Sequence, residues 1–301
     1  MGLVSVRLLI PPIFYFGYRQ NHLKPGMREI HSLSLKNDHS ASKMEKSDES
    51  SRRNFLKQAS FLSVSAISAP AMLEDWPLAS DVKAGEHFTF LFQGDSITDG
   101  NRSRDTDWNH VLGHGYAYLI AAKLWYQYPP KGFHFINRGV SGNQITDLNL
   151  RWQHDTLSLK PDLVSILIGA NDTINAVYGN KNSTVSSFEN DYHELLNQTR
   201  QQLPGVELVI CEPFILPVGK VKERWDDFHR EISGRQHITK RLAGEFKATY
   251  VPLQDSFNKV AAKYPPDSYW LWDGIHPMPN GHELIAIEWR KQVNKRLKFI
   301  G

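Results

Sequence analysis

The chain has 301 residues, of which 41% are hydrophobic and 22% charged, so it is long enough to bury one large core or two small ones. Its net charge of +3 arises in residues 1–71, which carry 10 lysines and arginines against 5 acidic residues, whereas the remainder carries 25 against 27. The absence of a basic tract interleaved with aromatic residues argues against nucleic-acid binding, and a single cysteine, Cys211, excludes an internal disulfide and cysteine-pair zinc sites. The apolar run before Cys211 predicts a buried thiol.

The first informative segment in chain order contains two adjacent arginines. The heptapeptide SRRNFLK at residues 51–57 precedes an uncharged, mildly apolar run that ends in a small-residue triplet at residues 69–71. This stretch resembles a bacterial twin-arginine export signal, although an amphipathic helix that begins a domain is an alternative. We expect residues 44–79 to be a signal peptide with a short linker, preceded at residues 1–43 by a non-structural extension.

The same resemblance implies a location. It implies export through the twin-arginine translocon to the periplasm or the medium. Because the apolar run is shorter than the about 20 residues that cross a bilayer, no stable membrane anchor is expected.

From residue 80 onward, short apolar strands alternate with helical patterns. The predicted strands are Phe88–Phe92, Phe133–Asn137, Leu163–Ile168, Leu208–Cys211 and Thr249–Val251. The predicted helices are Tyr116–Trp125, Ile145–Thr156, Ser186–Gln202, Trp225–Phe246 and Asn280–Lys295. Regular β–α alternation predicts a parallel sheet covered by helices on both faces, so residues 80–301 are expected to form one α/β domain. Glu288 and Lys295 are expected on the solvent side of the last helix.

A candidate nucleophile follows the first predicted strand, in the segment Gly94-Asp95-Ser96. A serine on a sharp turn at the end of a strand exposes its hydroxyl at the carboxyl edge of the sheet, where open α/β folds bind ligands. The same residue types also form ordinary turns, so the interpretation depends on what the rest of the chain supplies.

Three further motifs follow predicted strands or precede the last helix. Gly142 lies in the glycine-rich stretch after the second strand, and Asn171 follows the third. Asp273 and His276 stand three residues apart, so in a helical turn they would share a face, and Asp273 could orient His276 as a base. Each residue also has a purely structural interpretation. Gly142 could be a turn glycine, Asn171 or Asp273 could cap a helix, and His276 could be a structural histidine.

Together these blocks resemble the SGNH/GDSL hydrolase family over residues 88–296. The resemblance implies a three-layer α/β/α sandwich with a parallel, flavodoxin-like five-stranded sheet. It implies Ser96 as nucleophile, His276 as base and Asp273 as its orienting partner. It further implies an oxyanion hole formed by the N–H groups of Ser96 and Gly142 and the side-chain amide of Asn171. No cofactor and no metal are expected for this chemistry.

Two carboxylates adjoin the motif residues. Asp95 and Asp172 are expected to support the site by accepting hydrogen bonds from backbone N–H groups of the two loops. Gly139 is a weaker oxyanion candidate than Gly142, because the family's second block places Gly142 at the position that donates.

Aromatic residues near the motifs indicate a substrate class. The candidates for the substrate rim are Trp108, Tyr178, Trp270 and Trp272. Flat aromatic faces stack on sugar rings as well as on acyl chains, and some of these residues could instead belong to the core. The polar segments 101–114 and 173–184 are expected to be loops at the rim.

These features favour a serine esterase that removes small acyl groups, O-acetyl above all, from a small-molecule or polysaccharide ester. A lysophospholipase, thioesterase or arylesterase is the alternative enzyme. A catalytically silent carbohydrate-binding protein is the alternative from a different class.

Overall fold

The computed structural model describes residues 87–105 and 109–297, all of which lie in one compact unit. The extension expected at residues 1–43, the signal peptide expected at residues 44–79 and the aromatic candidate Trp108 lie outside the described residues. Among the described residues, no helix is long and apolar enough to cross a membrane.

Five parallel strands form a single sheet in the order β2-β1-β3-β4-β5. The strands are β1 (Thr89–Gly94), β2 (His134–Asn137), β3 (Leu163–Leu167), β4 (Glu207–Cys211) and β5 (Thr249–Val251). This order is the flavodoxin-like one, so the predicted fold class is confirmed. The central strand β3 is buried throughout, which explains its nearly unbroken apolar sequence.

The described residues form nine α-helices, which include all five predicted ones with ends shifted by at most two residues. They are α1 (Ser96–Asp99), α2 (Tyr116–Gln127), α3 (Ile145–Asp155), α4 (Ala170–Val177), α5 (Val185–Gln202), α6 (Gly219–Glu223), α7 (Trp225–Glu245), α8 (Gln254–Lys263) and α9 (Pro279–Asn294). The prediction of a loop at residues 173–184 is wrong over α4. That segment is helical because Ala170, Thr173 and Val177 recur on one face and are buried.

The helices cover both faces of the sheet and so complete three layers. Side chains of β1 alternate between two cores: Phe90 and Phe92 face a cluster that includes α2, α8 and α9, whereas Leu91 faces one that includes α3, α5 and α7. The thiol of Cys211 is fully buried in the first cluster, as predicted, and burial raises its pKa to about 12.

The last helix corrects one expectation about side-chain placement. Lys295 is exposed, but Glu288 is only 8% exposed and accepts hydrogen bonds from Lys291 and Gln292. Helix α9 packs against α2, α8 and β5, so more of its circumference is covered than a surface helix would show.

The strand order brings three loops together. Strands β2 and β3 flank β1 on opposite sides, so the carboxyl ends of β1, β2 and β3 lie side by side. In open α/β sheets, ligands bind in the crevice at such a reversal of strand order.

Candidate active site

Ser96 is the first residue of α1, directly after β1, and the local backbone explains its position. The Asp95 side chain caps this turn by accepting a hydrogen bond from the Ile97 N–H at 3.0 Å. A Cβ on Gly94 would lie 2.2 Å from the Leu167 carbonyl oxygen, so β1 can pass β3 this closely only with glycine there. Capping and close packing together hold the Ser96 hydroxyl at the edge of the sheet.

A hydrogen-bonded chain joins three of the predicted residues. Ser96 Oγ lies 2.8 Å from His276 Nε2, and His276 Nδ1 lies 2.7 Å from Asp273 Oδ2. Ser96 and His276 are 180 positions apart in the sequence, so only the fold brings them together. Nucleophile, base and orienting carboxylate in this geometry can activate a hydroxyl for attack on an ester.

The segment that carries Asp273 and His276 is not the expected helical turn. It is a loop closed by an antiparallel bridge between Leu271 and Pro277. Asp273 Oδ1 accepts hydrogen bonds from the backbone N–H groups of Ile275 and His276 at 3.0 and 2.7 Å. The Asp side chain therefore shapes the loop itself, because short polar side chains compete with helical hydrogen bonding.

The pKa of His276 is raised and that of Asp273 is lowered, as a base and its ionised partner require. The hydrogen bond that His276 donates to Asp273 raises the pKa of His276. The negative charge of Asp273 also raises it, whereas partial burial acts to lower it. Burial acts to raise the pKa of Asp273, but hydrogen bonds from His276 outweigh it and lower that pKa. An ionised Asp273 thus stabilises the imidazolium that forms when His276 accepts a proton.

The three predicted oxyanion donors follow three neighbouring strands: Ser96 comes after β1, Gly142 after β2 and Asn171 after β3. Within the described residues, the N–H groups of Ser96 and Gly142 donate no hydrogen bond. Gly142 is exposed and has φ +88°, a conformation that favours glycine. Asn171, the second residue of α4, donates one hydrogen bond from Nδ2 to the Asn143 carbonyl at 3.0 Å and keeps a second N–H on the same atom.

Gly139 has a different role in the same loop. A Cβ at this position would lie 2.3 Å from the Asp99 backbone nitrogen, so Gly139 permits close packing against α1. This packing explains the glycine without any contact to a ligand.

The two carboxylates that were predicted to support the site each accept a hydrogen bond from a backbone N–H group. Asp172 Oδ1 accepts a hydrogen bond from the Ile145 N–H at 3.2 Å, and Asp95 caps α1 as described. Burial raises the pKa of Asp95 to about 7 and that of Asp172 to about 6. Each has a second oxygen, Oδ2, that is buried without a partner in the described structure, which disfavours the charged form.

Sequence reasoning missed two residues that connect the loops. Asp99, at the end of α1, is 3% exposed, binds Arg104 at 2.6 Å and accepts hydrogen bonds from Ser141. Arg151, on α3, donates to the Gly94 carbonyl at the end of β1 and to Asn143 Oδ1 in the loop after β2, and it thereby links the two segments. An acid within the Ser96 turn was the available signal for Asp99, whereas no local pattern distinguishes Arg151 from a surface arginine.

The aromatic candidates differ in their surroundings. The Trp272 ring is 59% exposed and stacks on His276, with centroids 5.6 Å apart. Trp270 is half-buried and donates from Nε1 to the Tyr264 carbonyl. Tyr178 is exposed and lies against Phe228 and under Arg224. In the described structure, no contact joins it to the hydrogen-bonded residues Ser96, His276 and Asp273.

Comparison with known proteins identifies the family of this chain. The sequence profile of the GDSL-like lipase/acylhydrolase family matches residues 92–284. An acetylxylan esterase from Geobacillus stearothermophilus is 30% identical over 218 residues, which are 70% of this chain and 96% of the relative. Its crystal structure superposes with a TM-score of 0.62, and catalytic mutants of that enzyme replace a serine, an aspartate and a histidine.

A second solved structure gives the same result. A GDSL-like lipase from Parabacteroides merdae ATCC 43184 is 33% identical and superposes with a TM-score of 0.67, over 71% of this chain and 98% of that one. The chain therefore belongs to the GDSL-like lipase/acylhydrolase family and is a carboxylic ester hydrolase.

Proposed function

We propose that this protein hydrolyses O-acetyl esters of carbohydrates through a Ser-His-Asp mechanism with an acyl-enzyme intermediate. The observation that carries the proposal is the chain of two hydrogen bonds, 2.8 Å from Ser96 to His276 and 2.7 Å from His276 to Asp273.

In the acylation half, Ser96 Oγ attacks the acetyl carbonyl carbon while its proton passes to His276 Nε2. The carbonyl oxygen becomes an oxyanion, which the N–H groups of Ser96 and Gly142 and the amide of Asn171 stabilise. One such donor is typically worth about 3 kcal/mol in the transition state. The tetrahedral intermediate collapses as His276 returns the proton to the sugar oxygen, which leaves as an alcohol.

In the deacylation half, a water molecule takes the place of the sugar. His276 accepts a proton from this water as its oxygen attacks the acetyl-Ser96 carbonyl, and the same donors stabilise the second oxyanion. Collapse breaks the bond to Ser96 Oγ, which recovers its proton from His276, and acetic acid leaves as acetate. Asp273 stays ionised throughout and balances the positive charge of His276 in both halves.

The choice of an acetylated sugar has two supports. The relative at 30% identity is described as an acetylxylan esterase and as an acetyl-xylooligosaccharide esterase. Trp272 is exposed although its ring stacks on His276, and aromatic rings pack well against sugar rings. Acetylated xylooligosaccharides are therefore the first substrates to test.

The test measures acetate released by the purified protein from acetylated xylooligosaccharides. Ser96→Ala should remain folded and lose roughly 10⁴-fold or more in kcat. Ser158→Ala removes an exposed hydroxyl that is bonded only to Gln153 within the described structure, and this variant should keep the wild-type kcat. Faster hydrolysis of octanoyl than of acetyl esters, or of lysophospholipids, would favour the lipid or aryl esterase instead.

We also propose that the protein is exported as a twin-arginine substrate. The support is the heptapeptide SRRNFLK at residues 51–57 and the apolar run after it. Replacing both arginines, Arg52 and Arg53, with lysine should leave the precursor in the cytoplasm of an expressing bacterium. Mature protein found outside the cytoplasm with both lysines present would contradict the proposal.

A further inference from the structure

A cavity of about 290 Å³ opens beside the edge strand β2. Three arginines line it: Arg102 and Arg104 from the loop after α1, and Arg138 from the end of β2. Ser103 and Asp105 complete the same wall. The lining carries more positive than negative charge.

The three guanidinium groups differ in how they are neutralised. Arg104 pairs with Asp99 through two hydrogen bonds, at 3.0 and 2.6 Å. Arg102 donates from Nε to the Gly139 carbonyl at 3.0 Å, a neutral partner. Within the described residues, neither Arg102 nor Arg138 has a carboxylate in ion-pair contact. Among the described residues, two of the three positive charges therefore have no carboxylate in direct contact, and Asp155 attracts both of them from farther away.

The side chain of Arg138 contains a hydrogen-bond donor that is not satisfied. Its Nε–H is buried and has no acceptor within the described structure. The Arg138 backbone is held in place, since its N–H donates to the Phe92 carbonyl at 2.8 Å and its carbonyl accepts from Arg151 at 2.9 Å. An unpaired buried donor on a charged group costs free energy and indicates a missing anion or water.

The arginines also repel one another. Burial lowers the pKa of Arg102 to about 10, and the nearby positive charges of Arg104 and Arg138 lower it further against the attraction of Asp99 and Asp155. Asp105 accepts a hydrogen bond from Ser103 and offsets part of this charge. A bound anion would relieve this repulsion. A carboxylate suits the site because a guanidinium group donates two parallel hydrogen bonds to its two oxygens.

Two side-chain contacts connect the cavity to the segments of the candidate active site. Strand β2 is hydrogen-bonded to β1, about 5 Å away, and Ser96 follows β1. Arg104 binds Asp99, which ends the helical turn that Ser96 begins, and Arg102 binds Gly139 in the loop that leads to Gly142. The walls of the cavity are therefore hydrogen-bonded to the segments that carry Ser96 and Gly142.

We propose that this arginine cavity binds a carboxylate carried by the substrate, that of an acidic sugar unit close to the acetylated one, an assignment that rests on the proposed function. The enzyme would then prefer acetylated oligosaccharides that contain uronic acid over neutral ones. A free anion such as phosphate shares the same chemistry, so the experiment must separate the two sources.

The binding arm uses the full-length Ser96→Ala protein, so that no turnover interferes. Sodium glucuronate, inorganic phosphate and neutral glucose are titrated at constant ionic strength, with the melting temperature as readout. Glucuronate should raise the melting temperature and glucose should not. The shift should be lost on adding Arg102→Gln or Arg138→Gln and kept on adding Arg230→Gln, an exposed arginine on α7.

The kinetic arm compares acetate release from matched oligosaccharides with and without a uronic acid unit. The ratio of the two kcat/KM values should favour the acidic substrate and fall about tenfold in Arg138→Gln, since a charge-assisted hydrogen bond is lost. Should Arg138→Gln fail to fold, Arg102→Gln carries the test, because the Arg102 side chain bonds only one carbonyl within the described structure.

Absence of any glucuronate binding, or binding that both arginine variants retain, would overturn the proposal. Phosphate binding with no kinetic preference for the acidic substrate would assign the cavity to a free anion and overturn it equally. If wild-type protein released no acetate from any sugar, the proposed function would fail, while the binding arm would still report on the cavity.

Discussion

The carboxylate of Asp99 accepts hydrogen bonds from both the backbone N–H and the hydroxyl of Ser141, each at 3.1 Å. Asp99 closes the helical turn that Ser96 opens, and Ser141 immediately precedes Gly142. This one side chain therefore sets the spacing between the proposed nucleophile and a proposed oxyanion donor. Burial acts to raise the pKa of Asp99, but hydrogen bonds from Arg104 and Ser141 outweigh it and keep the carboxylate ionised.

Replacing this carboxylate should impair catalysis by displacing the oxyanion donor. Asp99→Asn should lower kcat by about 100-fold, the cost of a misplacement near 1 Å, and destabilise the fold by about 1–3 kcal/mol. Ser141→Ala removes only the hydroxyl contact, so its losses of kcat and of stability should both be much smaller. Steady-state kinetics with urea unfolding measures both, and a wild-type kcat in Asp99→Asn would contradict the positioning role.

The pH profile should report the pairing of Asp273 with His276. Catalysis needs neutral His276, and Asp273 raises its pKa above the ordinary 6.5, so the acid limb of kcat/KM should lie above pH 6.5. Asp273→Asn should lower kcat by roughly 10⁴-fold and move the acid limb to lower pH, because the stabilising charge is gone. An unmoved acid limb would show that another group titrates.

The buried Asp95 should make the protein less stable as the pH rises. Its pKa is about 7 in the folded protein against 3.8 for an exposed group, so between these values the folded state binds more protons than the unfolded one. Stability should fall with rising pH in this window by up to about 1.4 kcal/mol per pH unit. Asp95→Asn still offers an oxygen to Ile97 and should lack this slope in urea unfolding at several pH values. A slope unchanged by the substitution would place the titration elsewhere.

His282 should have the opposite effect on the acid side. Its Nδ1 accepts the Tyr116 N–H at the start of α2, and burial lowers its pKa from 6.5 to about 4. Between those values the unfolded state binds more protons, so stability falls as the pH drops and the loss is complete below about pH 4. The loss should total about 3 kcal/mol. His282→Gln can still accept the hydrogen bond and should unfold with a weaker acid dependence, whereas a curve parallel to wild type would refute this origin.

Arg151 should matter for stability and activity together. It donates to the carbonyls of Gly94 and Arg138 and to the Asn143 side chain, at 3.3, 2.9 and 2.8 Å, so it connects the segments on either side of the candidate site. Arg151→Gln should cost about 3 kcal/mol and reduce kcat, because buried acceptors lose their partner. Arg224→Gln, a surface control, should change stability by no more than about 0.5 kcal/mol. Equal stability of the two variants would rule out this role.

Periodicity predicted the helices and strands that carry an unambiguous pattern. All five strands were found, because buried parallel strands read as continuous apolar runs. The sequence pattern predicts no helix at α8 and a loop over most of α4, since a short helix presents too few turns for its apolar spacing to stand out. The helical turn predicted for Asp273 and His276 was wrong for a related reason. A three-residue spacing fits both a helical turn and a loop capped by a side chain.

By itself the sequence determined the architecture and the candidate residues, because a motif placed after a parallel strand must lie at the carboxyl edge of the sheet. Only the tertiary structure decided which side chains touch: Ser96 with His276, Asp99 with Ser141, and the arginines that surround the cavity beside β2. Hydrogen bonds form within a few tenths of an ångström, and packing of distant elements fixes those distances. No local pattern in the chain encodes that packing.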